Sequence, residues 1–329
     1  MKCINKRFVR VCSLLLVCSL CTISGTGCGE NRLEDAFEAD LPGIGIQTSE
    51  ESSKIPYFAS DLCVTDTDVQ DIEADTEDAL AACFFNLNEK KVLYAKNIHE
   101  RMYPASTTKI MTALVALDKG DLDAQTTVSK EAITFSESGV STAKLKEGDV
   151  LTLRQLLYAL LTVSANDAAN VIAEQIAGSQ DAFVEMMNQE AQKIGATNTH
   201  FVNANGLHSE DHYTTVYDLY LMFNAAMQHE EFLQMLQEKE YQVSYQAADG
   251  TTVEAVWSTT NQFTKGDVTV PDGVTAVGGK TGTTTAAMSC LVQLFEDAQG
   301  EQYVAIILGC KERGILYQEM QTFLSNLNN

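Results

Sequence analysis

The chain has 329 residues, 45% of them hydrophobic and 20% charged, enough for one large domain or two ordinary ones. Its 45 acidic residues outnumber 22 basic ones, giving a formal net charge of −23. That imbalance excludes nucleic-acid or anionic-membrane binding through a basic patch, and reads as solubility outside the cell.

The first 27 residues carry Lys2, Lys6, Arg7 and Arg10 but no acid, with an apolar stretch from Val11 to Ile23. This predicts a secretory signal peptide over residues 1–27, its apolar core too short for a comfortable membrane span. Small residues at Gly25 and Gly27 permit ordinary cleavage. Gly25-Thr26-Gly27-Cys28 also resembles a bacterial lipoprotein cleavage site, with Cys28 as the lipidated residue. Residues 28–78 are predicted to be an acidic flexible tether. They hold Pro42, Pro56 and the acidic run from Asp61 to Asp78, with little periodicity. With no anchor expected at the other end, the N-terminus would hold the protein at the outer face of the cytoplasmic membrane.

Five of the nine cysteines, at positions 3, 12, 18, 21 and 28, fall in the signal region, leaving Cys63, Cys83, Cys290 and Cys310. An even number in an exported chain permits disulfides, but cysteines in apolar strand-like runs also serve as small core residues. The spacing offers no C-x-x-C pair. His208 and His212 flank the turn Ser209-Glu210-Asp211, so neither a metal site nor a cofactor is predicted.

The domain is predicted from residue 79 to 329. Ala81–Asn86 and Lys91–Ala95 read as a hairpin, followed by a helix that begins near Ser106 and runs to about Leu117. Thr152 and Gln155 make a capping box. The helix it opens places Leu153, Leu156, Leu157, Leu160 and Leu161 on one face. Further helices are expected through Val171 to Ile176, over Asp181–Ile194, and from Thr215 to about Met227. A polar segment then runs to about Gly250. Thr275–Gly279, Ser289–Phe295 and Tyr303–Gly309 read as strands, and Ile315–Leu327 as a closing helix. Strands, a helical block, strands and a helix predict an α+β fold: a largely antiparallel five-stranded sheet flanked by helices, with an inserted all-helical lobe.

Ser106 and Lys109 stand three apart at the start of a buried helix, so the amine can reach the hydroxyl. A serine hydroxyl needs a base to become a nucleophile, and a lysine desolvated among apolar groups can be that base at neutral pH. Ser-x-x-Lys is common, however, and Ser141-Thr142-Ala143-Lys144 is a second copy, read as a loop because no helix comes after it. Lys280-Thr281-Gly282-Thr283 invites a phosphate-loop reading that fails. Five residues, not four, separate Gly273 from Gly279-Lys280, and the residues after Lys280 are strand-like where a phosphate loop needs a helix. A strand edge bearing a cation and hydroxyls suits an extended peptide with a terminal carboxylate.

With Ser106-Thr107-Thr108-Lys109, Ser164-Ala165-Asn166 and Lys280-Thr281-Gly282 in this order, the chain resembles the penicillin-recognising serine enzymes. Tyr103–Thr112, Leu156–Leu161, Ser164–Ala169, Asn205-Gly206-Leu207, His212–Asp218 and Gly279–Thr284 are similar to segments of the low-molecular-mass D-alanyl-D-alanine carboxypeptidases, peptidase family S11. The resemblance spans roughly residues 80 to 325. It implies a β-lactamase/transpeptidase-like fold and a hydrolase acting on peptidoglycan stem peptides ending in D-Ala-D-Ala, with β-lactams as covalent inhibitors. It further implies Ser106 as nucleophile, Lys109 as general base, Ser164 as proton relay, and Asn166 holding Lys109 and the substrate amide. Lys280, Thr281, Gly282 and Thr283 would form the substrate strand, and the N–H groups of Ser106 and Thr283 the oxyanion hole.

Two residues depart from the family pattern: Ala165, where Gly or Asp is usual, and Met288, where Gly commonly follows the alanine pair. A class A β-lactamase reading lacks the Glu-x-x-Leu-Asn run expected between Asn166 and Lys280. A non-catalytic wall-binding lipoprotein would be expected to lose a catalytic residue, and none is lost. A D,D-endopeptidase is not separated by sequence.

Overall fold

Both ends of the described chain contribute strands to one sheet, and the middle of the chain supplies the lobe that faces it. The computed structural model describes residues 59–327. The predicted signal peptide, Cys28 and the tether as far as residue 58 lie outside the described residues. The strands are β1 (Val69–Gln70), β2 (Ala81–Asn86), β3 (Lys91–Lys96), β4 (Gln125–Thr127), β5 (Val150–Thr152), β6 (Glu240–Gln246), β7 (Thr252–Ser258), β8 (Thr275–Thr284), β9 (Met288–Glu296) and β10 (Gln302–Cys310). The helices are α1 (Lys109–Lys119), α2 (Leu153–Leu161), α3 (Asn166–Ala177), α4 (Gln180–Lys193), α5 (Val216–Ala226), α6 (Glu230–Gln237), α7 (Gln262–Lys265) and α8 (Arg313–Leu324).

The main sheet has the order β1-β3-β2-β10-β9-β8, antiparallel throughout. Successive side chains point to opposite faces of a strand, so each central strand feeds two cores. Phe84, Leu291, Phe295, Ala305 and Ile307 face α8, where they meet Leu316, Met320 and Phe323. Phe84 and Phe323 stack there at 5.3 Å. Cys83, Phe85, Val292, Leu294, Val304 and Ile306 face the other way, into the core shared with α1 and the helical lobe. The capping box of α2 forms as expected, Thr152 and Gln155 bonding reciprocally, and its leucine face is buried.

Two expectations need correction. The main sheet has six strands, not five, and a second sheet of order β4-β5-β6-β7 lies beside the lobe. The sixth strand, β1, comes from the stretch expected to be mobile tether. Residues 59–78 are instead held on the domain: β1 pairs with β3, and the Cys63 backbone is gripped by the hydroxyls of Tyr217 and Tyr220. Asp68 accepts from the N–H groups of Asn97 and Ile98, and Lys96 donates to the carbonyls of Thr76 and Ala79. The polar segment before Gly250, to which the sequence assigned no element, forms α6 and β6, the latter pairing along its whole length with β7. The four described cysteines are all free and buried, so they act as core residues.

Candidate active site

A single 3₁₀ turn, Ala105–Thr108, leads into α1 and carries Ser106. The turn is strained on entry, since Ala105 adopts a left-handed backbone with φ +48°. Pro104 steadies it, its carbonyl accepting from both the N–H and the hydroxyl of Thr107. Lys109, the first residue of α1, is fully buried and its Nζ lies 3.0 Å from Ser106 Oγ. Nζ also donates to Asn166 Oδ1 at 2.7 Å and to the carbonyl of Asn205. Burial holds the Lys109 amine well below the usual lysine range, the nearby Lys280 charge lowers it further, and Asp167 opposes them.

Ser164 sits in the turn between α2 and α3 with φ +58°, a second left-handed residue that is not glycine. Its Oγ accepts from Lys280 Nζ at 2.9 Å. Lys280 is 1% exposed and burial brings its amine down to about 7. Ala165 is fully buried between Ser164 and the start of α3, where a small residue fits. Asn166 opens α3, which explains how one short turn aims Ser164 at Lys280 and Asn166 at Lys109.

Strand β8 closes the site from the opposite side. A Cβ on Gly282 would lie 2.9 Å from Pro104 O and 3.0 Å from the Ser106 nitrogen, so only glycine lets the strand pass this close to the Ser106 turn. Thr281 Oγ1 bonds Thr260 Oγ1. Thr283 is exposed, beside the cleft, and Arg313 at the start of α8 places Nη2 3.4 Å from its hydroxyl. The structure thus forms two hydrogen-bonded groups, Ser106–Lys109–Asn166 and Ser164–Lys280, joined through the short turn from Ser164 to Asn166, with Thr281, Gly282 and Thr283 along the edge. At the start of β9, Met288 takes φ +56°. This is a conformation in which glycine is at ease, so the departure at this position adds local strain.

Ser141-Thr142-Ala143-Lys144, the second Ser-x-x-Lys copy, is loop, as expected. Its backbone nevertheless abuts the Ser164 turn: Asn166 N–H donates to Ser141 O, and Asp167 accepts from the N–H groups of Ala143 and Leu145. Sequence reasoning assigned nothing to Asn205, Thr260 or Arg313. Only Asn205 had a local signal, the turn-forming Asn203-Ala204-Asn205-Gly206.

A family model described as D-alanyl-D-alanine carboxypeptidase, Peptidase S11, matches residues 68–312. The chain belongs to the S11 family. This S11 chain is 38% identical over 156 residues to the D-alanyl-D-alanine carboxypeptidase DacF of Bacillus subtilis, covering 46% of this chain and 40% of DacF. It is 31% identical to DacC of Escherichia coli over 78% of this chain and 62% of that enzyme. The chain therefore spans less than two thirds of the length of either relative. Among solved structures, the Streptomyces K15 DD-transpeptidase superposes with a TM-score of 0.71 at 28% identity, covering 77% of this chain and 98% of that one. The fold is that of the penicillin-binding DD-peptidases, with the antiparallel sheet and helical lobe described above.

Proposed function

We propose that this chain is a serine-type D-Ala-D-Ala carboxypeptidase that removes the terminal D-alanine from peptidoglycan stem peptides through an acyl-enzyme on Ser106. One observation carries the reading: a fully buried Lys109 whose amine touches Ser106 Oγ and two oxygens that can only accept. A neutral amine has two N–H bonds and one lone pair. With Asn166 Oδ1 and Asn205 O taking the two N–H donors, the lone pair is left facing the Ser106 O–H. Lys109 takes that proton as Ser106 Oγ bonds to the carbonyl carbon of the penultimate D-alanine. The N–H groups of Ser106 and Thr283 receive the oxyanion. The C–N bond then breaks, the amine of the departing D-alanine takes a proton through Ser164, and water hydrolyses the ester to free Ser106. Lys280, Thr281, Thr283 and the neighbouring Arg313 offer charge and hydroxyls to the substrate carboxylate.

Labelling with a fluorescent penicillin, followed by mass spectrometry, is expected to place one adduct on the Ser106 peptide. An adduct at Ser141, or none, overturns the assignment. Release of D-alanine from a peptide ending in D-Ala-D-Ala, with no cleavage of cross-linked dimers, separates carboxypeptidase from endopeptidase.

We further propose that the chain is exported by its signal peptide and held at the outer face of the cytoplasmic membrane through a diacylglyceryl group on Cys28. The support is the sequence Gly27-Cys28 after the apolar stretch, which follows a basic, acid-free N-terminus. Two acyl chains anchor stably where one does not. The roughly thirty residues between Cys28 and Ala59 reach at most about 100 Å when extended, enough to present the site to wall peptides. Changing Cys28 to Ser is expected to move the protein into the soluble extracytoplasmic fraction. A wild-type protein that is already soluble, with an unlipidated mature N-terminus, refutes the anchor.

A further inference from the structure

One buried titratable side chain touches the nucleophile turn without taking part in the chemistry above. His212 is 2% exposed, and its Nε2 lies 2.8 Å from Thr108 Oγ1. Its other ring nitrogen, Nδ1, accepts the Val202 N–H at 3.2 Å. An acceptor at Nδ1 fixes the ring proton on Nε2, so the imidazole donates to Thr108. Phe201 packs against the ring at 5.5 Å between centroids. The charged and titratable groups facing His212 are Lys109 on α1 and His200 and His208 on its own loop. Each disfavours protonation, and burial is the larger cause, bringing the ring down to about 3, so it stays neutral at any working pH.

Thr108 stands between the residue that attacks and the residue that takes the proton. It closes the 3₁₀ turn of Ser106 and precedes Lys109 directly, in a turn entered through Ala105 at φ +48°. Such a turn holds its shape only if its surroundings over-determine it. The loop from residue 203 to 212 supplies the grip. Thr112 Oγ1 donates to Ala204 O at 2.6 Å, Lys109 donates to Asn205 O, and His212 takes Thr108. Of these, the His212 bond is the side-chain contact nearest the junction of Ser106 and Lys109.

We infer that His212 is a positioning residue which, through its bond to Thr108, fixes the turn that sets Lys109 against Ser106. It touches no reacting atom. Loss of the bond lets the turn relax and lets water reach the Lys109 amine. Relaxation lengthens the distance between base and nucleophile, and solvation raises the Lys109 pKa back toward its ordinary value. Because the base works deprotonated, the rising limb of the acylation–pH profile then moves to higher pH. A purely structural role lowers stability but leaves that limb in place.

This rests on Lys109 being the base for Ser106, and the wild-type labelling measured alongside tests that reading separately. The test compares penicillin acylation rates against pH for wild type, His212→Gln and His212→Leu, each with its melting temperature. Glutamine can accept from Val202 and donate to Thr108, so it is expected to keep the wild-type limb and a rate within a few-fold of wild type. Leucine fills the site without either bond, and is expected to lose at least about tenfold in rate, since an ångström of misplacement costs about a hundredfold. Its limb should also shift to higher pH. A folded His212→Leu variant with the wild-type limb overturns the inference, as does a His212→Gln variant that falls as far as the leucine. Should His212→Leu not fold, Thr108→Val removes the same bond from the other side. The same fall and shift support the inference, and an unchanged rate and limb overturn it.

Discussion

Replacing Lys109 with Arg is expected to remove nearly all acylation of Ser106 while leaving the fold in place. Arginine keeps the positive charge but does not deprotonate near neutral pH, so it separates a base from a mere cation. General-base catalysis contributes about a hundred- to ten-thousandfold, and the labelling rate should fall within that range. Lys109 is suited to the role because burial among Asn166, Asn205 and α1 holds its amine below the usual range. Penicillin labelling in the wild type should therefore already be fast at neutral pH, rising as Lys109 loses its proton. Lys280 supplies the opposite limb. Its amine titrates at about 7, so the positive potential beside Ser164 is present below that pH and fades above it. Near-normal labelling by the arginine variant, with circular dichroism unchanged, rejects Lys109 as the base.

How much of the fold and site is legible in the residues depends on where each signal sits in the chain. The leucine face of α2 is repeated at helical spacing, so its burial can be read from the residues alone. Ser106 is not readable by itself, because Ser141-Thr142-Ala143-Lys144 carries the same local pattern; its partner motifs at Ser164 and Lys280 decide between the two. Residues 59–78 mislead because their charge conceals a strand-like alternation. Ile72, Ala74 and Thr76 turn inward while Glu73, Asp75 and Glu77 face solvent, a period of two hidden in an apparent acidic run. The β6–β7 hairpin escapes for a similar reason, since Val243 and Tyr245 bury one face of an otherwise polar strand. Asn205 serves the site through its carbonyl oxygen, which every residue possesses, so the turn signal around it marks the loop but not its bond to Lys109. Arg313 reaches Thr283 only because α8 begins beside the end of β8, a proximity set by the sheet.

Gly206→Ala is expected to be the most damaging single methyl in the described chain. Gly206 has φ +84°, and a Cβ built there would stand 2.0 Å from Ala105 O, 2.5 Å from Ala105 C and 3.0 Å from Thr108 Oγ1. The first two are backbone atoms, so no side chain can swing aside to make room. The loop cannot retreat without breaking its own bonds: Asn203 Oδ1 holds the Gly206 N–H at 2.7 Å, and the next carbonyl back, Asn205 O, holds Lys109. Left-handed strain of about 1–2 kcal/mol and overpacking of about 1–3 kcal/mol together destabilise the domain by about 2–5 kcal/mol. Urea unfolding measures this, with Gly178→Ala as the control. Gly178 shares the left-handed backbone at φ +79° but has nothing within 4 Å, so its variant should show the strain alone. Where the Gly206 variant remains folded, its acylation should still collapse. Pushing Ala105 O outward moves Ser106 away from Lys109, and a displacement of an ångström costs about a hundredfold in rate. A Gly206→Ala protein no less stable than Gly178→Ala, and labelled by penicillin at the wild-type rate, shows that the nucleophile turn does not depend on this close approach.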